Sequence, residues 1–380
     1  MKKLMVRLLS GEKHQMFRIS VFAVVISLIF GAAVLLMIAT NPFASYLNLL
    51  QGSGLAPKRS YAGMRNMFTD FMSFLDAMTP MIFASLSVMV ALKGGLFNIG
   101  VSGMMLVSSF CATALVGYSS LSAGIARPLV LIIGIVSGAL VGAIIGALKF
   151  KFNINEVVSS IMLNYIFMYV LTFFINSYYL DPVSRQSINI SDSARLTIID
   201  IKAFGLKFDV PLAFILAILA AFIIRFVMNR TTIGYEIKAV GLSPAAANYA
   251  GINIRKNILL TMVVSGALAG LAGVTYYCGY VGSIQPGVVP GLGFNAIAVA
   301  LLGCSDPIGC ILASFLITVI SKGSIYMSSQ QGVEIELADL ITAFILIFSA
   351  CSGFIKEYTD KVERQLKEKN FNEKKGGAQA

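Results

Sequence analysis

The chain has 380 residues, 57% of them apolar and only 12% charged, with 29 Lys and Arg against 18 Asp and Glu. Soluble domains carry about twice that share of charge, and the mean hydropathy of +0.83 points the same way. The apolar content argues against a disordered chain, and the scarcity of charge against a nucleic-acid binder. The one histidine, His14, sits in a basic leader, so a His triad, an HExxH zinc site and a His-ligated haem have no basis in the sequence. Cys111, Cys278, Cys304, Cys310 and Cys351 lie in or beside apolar runs and form no CxxC pair, so they read as small buried hydrophobes. The chain has no Gly-Lys dipeptide and hence no Walker A loop. No catalytic residue, metal site or cofactor of its own is expected. ATP and Mg, if the work needs them, belong to a partner chain.

A spanning helix needs about 20 apolar residues. Residues 19–39 supply the first such run, preceded by Lys2, Lys3, Arg7, Lys13 and Arg18. This reads as an uncleaved first span after a cytoplasmic leader over residues 1–18, since a signal peptide has a shorter core and a small-residue cleavage site. Nine further spans are predicted at 79–92, 99–118, 128–148, 157–178, 211–228, 257–280, 292–303, 308–326 and 338–354. The expectation is thus an all-α polytopic membrane protein of about ten helices, with a permease body over 19–355 and a charged tail over 356–380. The stretches near 80–103 and 291–312 are short and broken by glycine, as in transporters whose interrupted helices mark the transport path. Gly95-Leu96-Phe97-Asn98-Ile99 and Gly293-Phe294-Asn295-Ala296-Ile297 echo one another across these two stretches. Segments 41–78 and 179–209 mix signs with Pro, Ser and Gly, and read as solvated outer loops or short surface helices. The tail alternates charge and suits a solvated helix or fraying end.

Placing both termini inside puts twenty Lys and Arg on the cytoplasmic side and nine outside. Positive residues gather on cytoplasmic loops, which favours N-in and C-in with an even number of spans. The acids divide nine and nine, so the inner surface carries the whole +11 and the outer surface none. The excess charge is an orientation signal, aided by anionic lipid.

The cytoplasmic loop 229–256 is the most informative. Its helix-forming start runs from Tyr235 to Val240 and stops at Gly241. Ser243-Pro244 fits an N-cap followed by proline in the first turn. A second short helix then runs to Ala250 and stops at Gly251. Two short helices with small side chains make either a knob for a partner's groove or an ordinary surface hairpin.

Here a resemblance becomes specific. Thr232, Gly234, Ile237, Lys238, Ala239, Val240, Gly241, Ser243, Pro244, Ala246, Ala247, Gly251 and Ile252 resemble, in order and spacing, the coupling loop of ATP-binding cassette importer permeases of the branched-chain amino acid, ribose and nucleoside group. Lys238 stands where Arg is commoner. Gly95-Leu-Phe-Asn-Ile-Gly-Val-Ser-Gly103 is similar to a stretch of the sugar and nucleoside subset, with Ser102 in place of Glu and Met104 in place of Gln. The run from Asn155-Glu156 through Asn164-Tyr165 and the run from Gly293 to Gly303 with Pro307 complete four motifs spread over residues 80–312. Asn41-Pro42-Phe43 looks more like the nucleoside members than the ribose members.

The resemblance implies a transport subunit without catalytic residues, in a bacterial cytoplasmic (inner) membrane. Its implied partners are a second permease, a cytoplasmic ATPase, an extracytoplasmic substrate-binding (lipo)protein and membrane lipid. Its implied cargo is a nucleoside, a purine nucleoside first. The implied contacts to the ATPase are Tyr235, Glu236, Lys238, Gly241, Ser243 and Pro244.

Intramembrane polar groups face protein or a water-filled path. Glu156, Ser160 and Asn164 are spaced by four and share a drifting helix face, on which Thr172 and Asn176 follow. A substrate path and interhelical hydrogen bonds are both open readings. Glu156 suits a cap or a pair with Lys149 or Lys151, and Asp306-Pro307 a helix start. Candidates to meet a nucleoside are Asn98, Ser160, Asn164, Tyr276, Tyr277, Gln285 and Asn295, because amides pair donors with acceptors and tyrosine offers a stacking face. A permease for ribose or another simple sugar is the nearest alternative. An ion-coupled secondary transporter is a more distant one, since the acids are expected at span ends. A membrane enzyme lacks any His–carboxylate or Cys–His cluster.

Overall fold

The computed structural model describes residues 15–61, 63–203, 206–351, 355–363 and 365. The leader 1–14 with His14, and the tail beyond 365, lie outside the described residues. The described elements are helices α1 (Gln15–Met37), α2 (Pro42–Gly52), α3 (Met67–Lys93), α4 (Val101–Ala112), α5 (Ala123–Phe152) and α6 (Glu156–Phe174), a hairpin β1 (Thr197–Ala203) and β2 (Leu206–Pro211), then α7 (Leu212–Arg230), α8 (Thr232–Leu242), α9 (Pro244–Tyr249), α10 (Ile254–Thr275), α11 (Leu292–Leu302), α12 (Pro307–Gln331) and α13 (Glu336–Ala350). Helices α4, α6 and α10 each run on into a π-helical turn, over Thr113–Gly117, Ile175–Tyr179 and Tyr276–Val281.

All ten predicted apolar segments fall on helices. Seven are long and apolar enough to cross a membrane, and α13 with the helix Ile355–Glu363 makes a bent eighth candidate. Helices α4 with its π turn and α11 are shorter. The chain is a mostly helical, multi-pass membrane protein.

Two expectations are corrected. The predicted span 79–92 is the second half of a 27-residue helix that starts at Met67 and runs through Pro80. Asn66 starts it with a capping box: its side chain accepts from the Thr69 amide at 3.1 Å while the Thr69 hydroxyl accepts from the Asn66 amide at 3.0 Å. Asp70 and Asp76 made this stretch look like loop, yet Asp76 is buried inside the helix and accepts from Thr197 Oγ1 at 2.8 Å. The short helix there is α4. The fold is also not purely α. The segment 179–209 leads into a β-hairpin, in which Leu206 to Val210 alternate apolar and polar residues, a strand period of two, while β1 carries a register shift between Ile198 and Ile201. Phe208 of this hairpin meets Phe68 edge-on at 5.6 Å.

Helix α3 is the most deeply buried of the long helices and packs against α7, α10, α11 and α12. Helix α5 packs along α10 through an extended, close backbone contact. Gly134, Gly138, Gly142 and Gly146 recur every four residues and form one face of α5 against Met262, Gly266, Gly270 and Val274 of α10. Small residues at this spacing let two backbones meet where lipid gives no hydrophobic drive. The opposite face of α5 exposes Ile132, Val136, Leu140 and Ile144, which in water would be an aggregating patch and in lipid is a solvated one.

A β-carbon on Gly142 would overlap the Met262 carbonyl oxygen, whereas one on Gly124 would meet nothing within 4 Å. Gly142→Leu is therefore expected to lower stability in detergent by about 1–3 kcal/mol in thermal unfolding, with Gly124→Leu unchanged.

Candidate functional site

The loop read as a partner-docking knob folds as two short helices. Thr231 caps α8 by accepting from the Gly234 amide at 3.3 Å, and Gly234 packs directly on the Val227–Met228 backbone of α7. Ser243 caps α9 by accepting from the Ala246 amide at 3.3 Å, with Pro244 in the first turn, as the sequence predicts. Gly251 turns at φ 78° and Asn253 caps α10. Glu236 is tied down, accepting from Asn257 Nδ2 at 2.9 Å. Lys238 reaches only Asn229, at 3.4 Å on the surface. Tyr235, Pro244, Leu242 and Tyr249 are exposed, the last two almost fully. The knob is thus rigidly seated yet presents an apolar outer face.

Gly241 faces inward. A β-carbon there would overlap the Lys93 carbonyl oxygen, and one on Gly95 would lie 2.9 Å from the Gly241 Cα. Gly95 has φ 71°, a conformation glycine adopts at little cost. The knob therefore rests on the turn 94–100 between α3 and α4.

That turn gathers three of the seven candidate residues singled out in the sequence. Asn98 Oδ1 accepts from the Gly100 amide at 2.8 Å, and Asn98 Nδ2 donates to Ser265 Oγ at 2.9 Å. Ser265 in turn exchanges hydrogen bonds with Ser87. Asn164 Nδ2 donates to the Ile99 carbonyl at 3.0 Å and its Oδ1 accepts from the Gly103 amide at 2.9 Å. Ser160 donates to Val157 O at 3.0 Å on its own helix and packs against Gly100. Lys149 pairs with Glu156 at 2.7 Å beside them. Asn98 and Asn164 are thus interhelical and turn-holding groups, with Ser160 packed beside them. The asparagines repay the cost of burial by satisfying backbone groups that the break in the helix leaves open.

Asn164 has a second surface. With Tyr165, Met168, Val288, Phe294 and Ile297 it lines a cavity of about 660 Å³ between α6 and the stretch that leads into α11. Tyr276 and Tyr277 are not in its lining but pack behind it, against Met168 and Val289. They meet edge-on at 4.8 Å in the π turn after α10, and Tyr277 is buried against Leu106, Met168 and Ile284. Gln285 is exposed in the stretch that follows, and Asn295 is half-buried on α11.

Three contributors are not among the candidates to meet substrate, although Ser102 stands in a motif and Thr172 on the polar face of α6. Ser102 Oγ donates to the Pro290 carbonyl at 2.8 Å, Thr172 Oγ1 accepts from the Gly287 amide at 2.7 Å, and Ser187 exchanges hydrogen bonds with Ile284. Serine and threonine in apolar runs are a signal that does not say which backbone they hold. Among the described residues no group of three or more His, Cys, Asp or Glu could hold a metal ion. Lys322, assigned from sequence to the outer surface, lies within α12 and donates to the Ser73 carbonyl at 2.7 Å.

The profile of the family described as branched-chain amino acid transport system, permease component, matches residues 71–350. The chain belongs to that permease family. The nucleoside ABC transporter permease protein NupB of Lactococcus lactis subsp. cremoris is 34% identical to this permease over 375 residues, covering 96% of this chain and 99% of that one. The guanosine ABC transporter permease protein NupP of Bacillus subtilis is 33% identical over 348 residues, covering 91% and 97%. The glucose ABC transporter permease protein TsgB13 of Haloferax volcanii is 30% identical over 286 residues, covering 73% and 75%.

Asn164→Leu in this permease strands the buried Gly103 amide and removes a donor from Ile99. Each lost bond to a buried group costs about 1–3 kcal/mol. A clear fall in the unfolding midpoint is expected in detergent; an unchanged midpoint would show that Asn164 does not hold the turn.

Proposed function

We propose that this chain is the transmembrane subunit of an ATP-binding cassette importer that carries nucleosides, purine nucleosides first, into the cytoplasm of a bacterium. The observation that carries the reading is likeness over nearly the whole length to a nucleoside permease, at 99% coverage of that protein, where the glucose permease is matched over only 75% of its length. The cavity adds a physical reason. Its wall is apolar and aromatic, with few side-chain polar groups. A sugar needs partners for several hydroxyls and a base needs a flat apolar slot.

In this reading the ten apolar helices cross a cytoplasmic membrane with both termini inside, in keeping with the twenty inner and nine outer cationic residues. Helices α8 and α9 dock the ATPase, which holds ATP and Mg; this chain has no catalytic residue. Tyr235, Lys238, Ser243 and Pro244 form or shape the docking face, while Glu236 and Gly241 seat it. A second permease closes the path along α6, whose Tyr169 and Phe173 stand exposed beside the cavity. A substrate-binding (lipo)protein delivers the cargo to the outer loops.

The test is competition. Cells expressing the complete transporter take up labelled guanosine, and excess adenosine, guanosine, ribose or glucose is added. Nucleosides are expected to suppress uptake and the free sugars to leave it unchanged. Suppression by ribose or glucose at equal concentration would favour the sugar reading.

A further inference from the structure

The stretch from Gly282 to Gly291 has no regular secondary structure, yet it runs into the body of the protein. At its upper end Ile284 bonds Ser187 of the outer loop. Gly287 then bonds Thr172, and the Pro290 carbonyl accepts from Ser102, in the first turn of α4. Gly293, at the start of α11, packs on Ser102. Its neighbours on α6 descend in parallel from Thr172 to Asn164, eight residues or about 12 Å of helix at 1.5 Å per residue. Gln285, Gly287, Val288 and Gly291 are exposed along the way. Irregular backbone at membrane depth is tolerated only where protein covers it or water fills the space beside it. Helix α11, at 11 residues, is half a span, as it must be if this stretch takes the other half.

The cavity lies along this descending stretch. Two of its lining aromatics, Tyr165 on α6 and Phe294 on α11, are about half exposed, at 53% and 43%. They come from elements on either side of it. Asn164, in its lining and only 2% exposed, has used one amide hydrogen and one lone pair on the turn; a carboxamide has a second of each. Gly287 and Val288 bring peptide groups to its edge.

Resting on the nucleoside reading, we infer that this cavity is the mid-membrane binding site, in which Tyr165 and Phe294 hold the faces of a purine base and the Asn164 amide and the 287–288 backbone meet its polar edge. The chemistry selects a flat heteroaromatic ring with donors and acceptors on its rim. Stacking faces take any such base, since every base has a π face, so the site fits broad nucleoside acceptance better than discrimination among bases. The volume of about 660 Å³ leaves room for an attached ribose and water. The site differs from the sequence expectation, which placed base stacking on Tyr276 and Tyr277.

The experiment uses the transporter assembled with its partner subunits and measures initial uptake of guanosine and adenosine for Tyr165→Leu, Phe294→Leu, Tyr165→Phe and Phe294→Tyr. Both side chains are exposed, so the leucine variants leave the core intact. Either leucine change is expected to lower Vmax/KM at least tenfold for both nucleosides, and either aromatic replacement to stay within threefold of the parent. Phe222→Leu, an exposed aromatic on α7 outside the lining, is expected to be neutral. Leucine variants that transport like the parent overturn the clamp while the nucleoside reading stands. Aromatic replacements that fail as badly as leucine also overturn it, because stacking is then not what those positions supply. A parent transporter that moves no nucleoside overturns the substrate reading and the clamp with it.

Discussion

The structure turns on a contact between two glycines. Gly241 of α8 and Gly95 of the α3–α4 turn meet backbone to backbone, with no room for a β-carbon on either side. Only glycine permits that approach, and only glycine adopts the φ of 71° at Gly95 without strain. The contact joins the exposed knob of α8 and α9 to the break in the helical framework where α3 stops and α4 begins. The knob's other seats are Gly234 on α7, the buried side chains of Ile237, Val240 and Ala247, and the Glu236–Asn257 bond.

From that contact the rest follows in physical sequence. A broken helix leaves peptide groups without partners, and in an apolar interior each must be satisfied. Asn98 and Asn164 do so, and in doing so tie the turn to α10 through Ser265 and to α6 directly. Ser102, just beyond the turn, fastens the second interrupted stretch at Pro290. Residues 94–103 therefore touch the α8–α9 knob at one end and, through Ile99, the cavity wall at the other. In the proposed importer, a displacement of α8 would reach a turn whose backbone is held from α10 and α6, and would pass from it to α6 and to the stretch before α11, the two walls of the cavity. Packed interiors shift between discrete arrangements rather than deform gradually, which suits a gate.

Much of this was legible in the sequence, because some signals are local. A cap is a short-range pattern, so Ser243-Pro244, Asp306-Pro307 and the Lys149–Glu156 pair all appear where the residues place them. Apolar runs locate helices for the same reason. What stayed hidden depends on tertiary depth. Asp76 looked like a loop residue because a carboxylate in an apolar helix is affordable only with a partner such as Thr197, 121 residues away. Tyr276 and Tyr277 looked like stacking faces, but nothing local reveals that the rings meet each other. The echo between Gly95–Ile99 and Gly293–Ile297 marks two interrupted stretches, though the first forms a turn and the second the opening of α11. Tyr165 and Phe294 carried no signal of their own; an exposed aromatic becomes meaningful only once a cavity stands beside it.

The most direct test of the relay is Gly241→Ala in the reconstituted transporter, where ATP hydrolysis is measured with and without the substrate-loaded binding protein. Coupling between sites is reciprocal, so a relay broken at this contact must silence the signal from outside as well as the stroke from inside. The account predicts a complex that assembles and hydrolyses ATP at its basal rate, with the stimulation by loaded binding protein and the uptake falling together at least tenfold. An assembled Gly241→Ala complex with full stimulation and full uptake would contradict it.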